Sequence, residues 1–390
     1  MPAITAKRAL VVSIAGNVLA TALIVSLNGG NAFDRLRGEP IVTAGLSRAP
    51  VLPYRAEARQ SMTKVPGGLA GERLERWRQG ILDRLQALLD LPAVAPSRPV
   101  WTAQKSDSSG YTLARTTLPS PTGLDRIVMY RLLPTQRRAG GAKPAVVLAI
   151  PGSGVHATDG LLGRVDNYQR AAAPRLAERG YAVYVAESFG AGARGFDTGW
   201  LGDRGYTSQH VAGMYGLYSG EYLARIFLAD IAAEIAVIRT DPQVDGDRLA
   251  TFGISRGGAL AMLAAAREPT VDGAIAASGL RDEDLYSASY FDHAVIPSMG
   301  RYFLHSDVAG TIAPRPLLIT YSSRFDRDGP VFAEALELQE EVRTLRTAKR
   351  VRAIYRMFGA RAMLRVVVHP RGHTWDETST QTFLRALFGY

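Results

Sequence analysis

The stretch Gly253-Ile254-Ser255-Arg256-Gly257-Gly258 sets a serine among glycines, with the apolar run RLATF before it and the helix-forming run ALAMLAAA after it. A strand that turns sharply into a helix needs glycine on either side of the bend, because side chains there would collide. Such a bend lifts a hydroxyl above the sheet. It also aims a helix N-terminus, with free N–H groups and partial positive charge, at the reacting centre. A serine hydroxyl is a nucleophile only when a base removes its proton. Of six histidines, His369 and His373 follow the last apolar run, in HPRGHTW. His373, after a glycine and before a helix-like tail (Thr378–Phe388), is the expected base. His369 is read as a surface or hydrogen-bonded core residue. A metal reading of this H-x3-H spacing lacks a third ligand, since Pro370-Arg371-Gly372 prevents one helical face from presenting Asp376 or Glu377 alongside.

An imidazole base needs a carboxylate to hold its tautomer and stabilise the imidazolium. Asp326 and Asp328 follow the apolar run PLLITY, which gives the chain order Ser, Asp, His. Asp326 is preferred, because Pro330 four residues later suits a loop that turns directly after the acid, and Asp328 competes. The oxyanion formed on attack needs two donors. The N–H of Arg256, next to the nucleophile, is one. The other is expected in Pro151-Gly152-Ser153-Gly154, from the N–H of Ser153.

These residues all sit just after short apolar runs: Pro144–Ile150, Tyr181–Ala186, Arg248–Phe252, Gly273–Ala277, Pro316–Tyr321 and Met363–Val368. Helix-like stretches separate them, at Tyr168–Glu178, Glu221–Arg239 and Arg256–Arg267. That alternation predicts an α/β fold with a mainly parallel central sheet and helices on both faces, whose active site lies beyond the carboxyl ends of the strands. Upstream, strand-like stretches cover Tyr111–Leu118 and Arg126–Leu133. Leu74, Trp77, Ile81, Leu82, Leu85, Leu88 and Leu89 recur at helical spacing, and Leu91-Pro92 ends that helix.

Gly190 to Gly195 fits G-x-G-x-x-G after the strand YAVYVA. A dinucleotide site would need a helix to open there, but FDTGWLGDRGYTSQHVAGMYG is glycine-rich and reads as non-helical. It is expected to border the substrate pocket, with Trp200, Tyr206 and Tyr215 as wall residues. No metal or organic cofactor is implied. The aromatics Tyr286, Tyr290, Phe291, Tyr302 and Phe303 either line a cap or pack as core.

The 390 residues carry 46 Lys and Arg against 36 Asp and Glu, a formal net charge of +10, yet the arginines are scattered and no basic run is interleaved with aromatics. A solvated basic surface is expected and a nucleic-acid partner is not. Cysteine is absent, which excludes thiol catalysis, disulfides and Cys-ligated zinc. Lys7 and Arg8 precede the uncharged run Ala9–Leu27. That run is long enough to span a bilayer, and no clean cleavage site follows it. Residues 1–30 are therefore expected to be a signal anchor, or otherwise a cleaved signal peptide. Residues 31–70 are expected to be a linker or arm, and residues 71–390 the catalytic domain. The enzyme would face the periplasm or the exterior, membrane-anchored by residues 9–27, or be secreted after cleavage.

Taken together, GISRGG, Arg239-Thr-Asp-Pro-Gln-Val-Asp245, Ile312-Ala-Pro-Arg-Pro-Leu-Leu318 and Gly372-His373 resemble the α/β-hydrolase superfamily. Within it the likeness is to the acetyl xylan esterase-like and dienelactone hydrolase-like serine esterases, which are related to prolyl oligopeptidase-type peptidases. The resemblance covers roughly Gly71 to the C-terminus. It implies an α/β-hydrolase fold with a Ser255–Asp326–His373 triad and an acyl-enzyme, acting on a small-molecule or carbohydrate acyl ester. Two departures stand out. The family's His-Gly after the third strand is Pro151-Gly152 here, and the acid loop TYSSRFD is one residue longer than usual, so both aspartates stay open. A serine peptidase is the alternative enzyme, set back because no β-propeller-sized domain precedes the catalytic part. A catalytically silent binding protein of the same fold is the alternative outside enzymes.

Overall fold

The computed structural model describes residues 68–389 apart from 96, 107, 137–140, 199–207, 281, 283–294, 324–344 and 346. The expected anchor and most of the expected arm therefore lie outside the described residues. So do Asp326, Asp328, Trp200, Tyr206, Tyr286, Tyr290 and Phe291. No described helix is long and apolar enough to cross a membrane.

Nine strands form one sheet among the described residues. They are β1 (Thr102–Gln104), β2 (Tyr111–Pro119), β3 (Arg126–Pro134), β4 (Ala145–Ile150) and β5 (Ala182–Ala186), then β6 (Asp245–Ile254), β7 (Gly273–Ala277), β8 (Leu317–Ser322) and β9 (Leu364–His369). The order is β1-β2-β3-β5-β4-β6-β7-β8-β9. The first three strands are antiparallel, β3 also meets β5 antiparallel, and every pairing from β5 to β9 is parallel. Strands covered on both faces cannot alternate apolar with polar residues. This is why all of AVVLAI in β4 is buried.

Alternate residues of these strands feed two cores. Val146, Leu148 and Ile150 pack with α1 (Gly71–Leu89), through Leu85 and Leu89, and with Ile235 and Leu260 of helices described below. Val147 and Ala149 face the other layer, with Leu176, Trp375 and Leu384. Burying a side chain such as Leu148 fully contributes about 1.5–3 kcal/mol.

The helices that matter for the site are α2 (Ala157–Leu161), α3 (Ala172–Ala177), α4 (Ser208–Ser219), α5 (Leu223–Thr240), α6 (Arg256–Arg267), α7 (His305–Thr311) and α8 (Glu377–Phe388). Two expectations are corrected. The helix-like stretch from Tyr168 becomes α-helical only at Ala172, because Arg170 and Ala171 take left-handed φ values of 51° and 52° and turn the chain first. The stretch around 208–219, expected to be non-helical, is α4. A glycine inside a helix costs about 1 kcal/mol, but Gly216 lies against the backbone at Glu221, where an added Cβ would come within 2.5 Å of the carbonyl oxygen. Close tertiary packing here overrides local propensity. The G-x-G-x-x-G stretch forms only a single 3-10 turn, Gly192–Arg194, and not the helix a dinucleotide site needs.

Candidate active site

Parallel strands end level with one another, which gathers the loops at one edge. Ile150 of β4 pairs with Gly253, Ile254 of β6 with Ala277, and Ser322 of β8 with His369. Between β6 and α6, Ser255 takes φ 59° and ψ −126°. A non-glycine residue held there costs about 1–3 kcal/mol, and such strain persists only where the surroundings enforce it. They do so tightly. The Ser255 N–H donates to Ala277 O at 2.8 Å, and the Gly258 N–H donates to Ser255 O at 2.9 Å. A Cβ on Gly253 would lie 2.1 Å from Gly257 O, and one on Gly257 would lie 2.2 Å from Ile150 O. Both glycines are thus required by contact with backbone. Ser255 itself is half-buried, at the N-terminus of α6.

The Pro151–Gly154 loop passes between the nucleophile turn and Tyr168. A Cβ on Gly152 would meet the Tyr168 hydroxyl at 2.1 Å and Ile254 O at 2.8 Å. The Gly152 N–H donates to Gln169 Oε1 at 3.1 Å, and Gln169 Nε2 donates in turn to Ala157 O. The Tyr168 hydroxyl donates to Ser153 O at 3.0 Å. Ser153 Oγ is buried without a hydrogen-bond partner among the described residues.

His373 is half-buried, with its ring 5.3 Å from that of Tyr168. Its loop is fastened at three points. The Gly372 N–H donates to Ser322 Oγ (2.9 Å), Thr374 Oγ1 to Tyr168 O (2.9 Å) and the Trp375 N–H to Tyr168 O (3.1 Å). Trp375 also meets Phe252 of the nucleophile strand edge-on, with centroids 6.1 Å apart. Ser322, which Gly372 grips, is the last residue of β8, and Asp326 and Asp328 follow it in the sequence. The segments that carry His373, Ser153 and Ser255 therefore share one edge of the sheet, and Tyr168 touches the first two.

Tyr168 had no signal in the sequence. It lies about 200 residues from His373, at the start of what reads as an ordinary helix. Arg256 was singled out for its N–H alone, yet its side chain is 1% exposed and lies behind the nucleophile turn. His369 is buried, but neither ring nitrogen has a hydrogen-bond partner among the described residues. Desolvation lowers its pKa, and the nearby Asp376 opposes this only in part. The burial and the lowered pKa suit a core residue that favours the neutral imidazole. Among the described residues no group of three or more His, Cys, Asp or Glu could hold a metal. Tyr215 is 68% exposed on α4, Tyr302 is 46% exposed beneath Arg84, and Phe303 is buried as core.

Beneath Pro151 lies a cavity of about 20 Å³, room for about one water. Glu187, Arg194, Asp230 and Glu234 line it. Arg194 is paired with Asp125 and Asp230 at 2.7 and 2.8 Å. Burial, with the Asp230 charge adding to it and Arg194 opposing, pushes the Glu234 carboxyl up to about 8.

Residues 134–302 match the model of the dienelactone hydrolase family. Among solved structures, a protein from Bacteroides fragilis assigned as an acetyl xylan esterase superposes with TM-score 0.63 at 17% identity, over 84% of each chain. A methylesterase superposes with TM-score 0.60 at 16% identity, over 86% of this chain and 69% of that one. A glucuronoyl esterase from Teredinibacter turnerae gives 0.52 at 15% identity, over 85% and 89%. At such identities the likeness is one of fold. No curated protein sequence gives a significant match.

Proposed function

We propose that the chain is an ester hydrolase that works through a Ser255–His373–Asp triad and an acyl-enzyme, a reading supported by its α/β-hydrolase-like fold and by the match of residues 134–302 to the dienelactone hydrolase family model. His373 takes the Ser255 proton as the hydroxyl oxygen attacks the ester carbonyl. The N–H groups of Arg256 and Ser153 receive the oxyanion. Collapse breaks the ester bond, and His373 returns the proton to the departing alcohol. A water, deprotonated by the same imidazole, then attacks the acyl carbon and frees both the acid and Ser255. The aspartate, Asp326 in this reading, holds the imidazole tautomer from the loop after β8.

The observation that carries this is the strained Ser255 backbone, φ 59° and ψ −126°, at the N-terminus of a helix and beside a glycine loop. Strain enforced by so many contacts suits a hydroxyl that must stand clear of its strand. For substrate we infer a carbohydrate acyl ester, on the strength of structural neighbours named as acetyl xylan, glucuronoyl and methyl esterases.

Ser255→Ala tests the mechanism. Turnover of p-nitrophenyl acetate is expected to fall by at least ~10³-fold, with labelling by a fluorophosphonate probe abolished. Undiminished turnover in the purified variant removes Ser255 from the nucleophile role. A wild-type chain that neither labels nor turns over leaves a silent binding protein instead.

A further inference from the structure

We propose that the Arg256 side chain is a positioning residue for the oxyanion hole, holding from behind the peptide that presents the Ser153 N–H. The inference rests on the acyl-transfer reading above and adds a role that the reading does not need. The Arg256 guanidinium is enclosed. Nη2 donates to Gly152 O at 2.5 Å and to Ser188 Oγ at 3.1 Å. Nη1 donates to Gln209 Oε1 at 2.8 Å, and the guanidinium carbon lies 4.7 Å over the Phe227 ring. One side chain thus ties the nucleophile helix to the oxyanion loop, to the end of β5, and to α4 and α5.

The contact with Gly152 O is the informative one. The Gly152 carbonyl and the Ser153 N–H belong to a single planar trans peptide, so they point in opposite directions. Holding the carbonyl from the interior turns the N–H outward, away from Arg256. Without that hold the peptide could flip more easily, since its rotation is taken up in part by ψ of Gly152, a residue that accepts conformations closed to others. The neighbouring peptide is pinned independently, by the Gly152 N–H on Gln169. A charge-assisted bond to the carbonyl also polarises the amide and strengthens its N–H as a donor. In this role the Arg256 guanidinium acts on the Gly152–Ser153 peptide and not on the substrate. It sets the direction and strength of a donor whose value appears only when the oxyanion forms.

Removing one oxyanion donor outright costs about 10²–10³ in kcat, so misdirecting one is expected to cost about 10–10². The variants are Arg256→Met, which keeps the length and loses the charge and donors, and Arg256→Lys, which keeps a cation and one donor path. For p-nitrophenyl acetate, kcat is expected to fall about 10–10²-fold in Arg256→Met with KM within about 3-fold, and Arg256→Lys is expected to recover part of the loss. Affinity for a boronic acid, which becomes tetrahedral on the serine, should fall in step with kcat. A kcat within about 3-fold of wild type, or a loss carried by KM with boronate affinity intact, overturns the proposal. If Arg256→Met does not fold, Arg256→Lys and Gln209→Met, read by the same kcat, KM and boronate measurements, decide it. Wild type and Ser255→Ala run alongside, and indistinguishable behaviour of those two sinks the underlying acyl-transfer reading instead.

Discussion

Glu234 makes the stability of this protein depend on pH in a direction opposite to that of a salt-bridged carboxylate. It lies on α5, 5% exposed, against the cavity beneath Pro151. Desolvation, reinforced by Asp230 and only partly offset by Arg194, carries its pKa from 4.5 to about 8. Between those two pH values the folded chain keeps a proton that the unfolded chain has released. Stability from this group is therefore complete below pH ~4.5, declines as pH rises, and is lost once pH passes the folded value of about 8. At ~1.4 kcal/mol per pH unit the full span amounts to roughly 5 kcal/mol, of which about 2–3 kcal/mol falls between pH 6 and 8. Glu234→Gln replaces the protonated acid with a neutral isostere and should abolish that slope. The assay is urea unfolding at intervals from pH 6 to 9. The wild type is expected to lose about 2–3 kcal/mol relative to the variant across the range, with the variant the more stable at pH 9. The other ionisable neighbours of Glu234 (Glu187, Asp230, Arg194 and Asp125) are present in both proteins and largely cancel. Parallel pH profiles for the two proteins would show that Glu234 ionises at an ordinary pH and that the reasoning is wrong.

Two further outcomes are expected. Asp326→Asn should reduce kcat about 10³–10⁴-fold, while Asp328→Asn stays within about 3-fold. The reverse ranking in purified variants assigns the acid to Asp328. The full-length chain should partition with membranes, resist a high-salt wash and be released by detergent, and deletion of residues 1–30 should free it into the supernatant. Recovery of the full chain in the salt wash argues against an anchor spanning residues 9–27.

The parallel half of the sheet was legible because burial on both faces leaves uninterrupted apolar runs, so AVVLAI, AVYVA and GAIAA declare themselves. The nucleophile turn was equally plain, since Gly253 and Gly257 are dictated by backbone contact and cannot vary without a clash. Helix α4 was hidden because its glycines contradict helical propensity, and its fit against Glu221 is a tertiary fact. Strand β1 was missed for a different reason. It is three exposed residues, Thr-Ala-Gln, with neither periodicity nor apolar content. Within the site, residue types and their order along the chain pointed to Ser255 and His373. The links that join their loops, Tyr168 to Ser153 and Arg256 to Gly152, run between residues 15 and 104 positions apart, and no local pattern encodes a partner.

The order of strands gives the two halves of the machinery unequal durability. Ser255 grows from β6, which has a strand on either side, with four more beyond β4 and two more beyond β7, so its amides should be among the last to exchange with solvent. His373 follows β9, one of the two edge strands of the described sheet, bonded on one side only, to β8. Gentle warming should therefore loosen that rim while the middle stays shut. Catalysis would then fade some degrees before the fold does, and return on cooling.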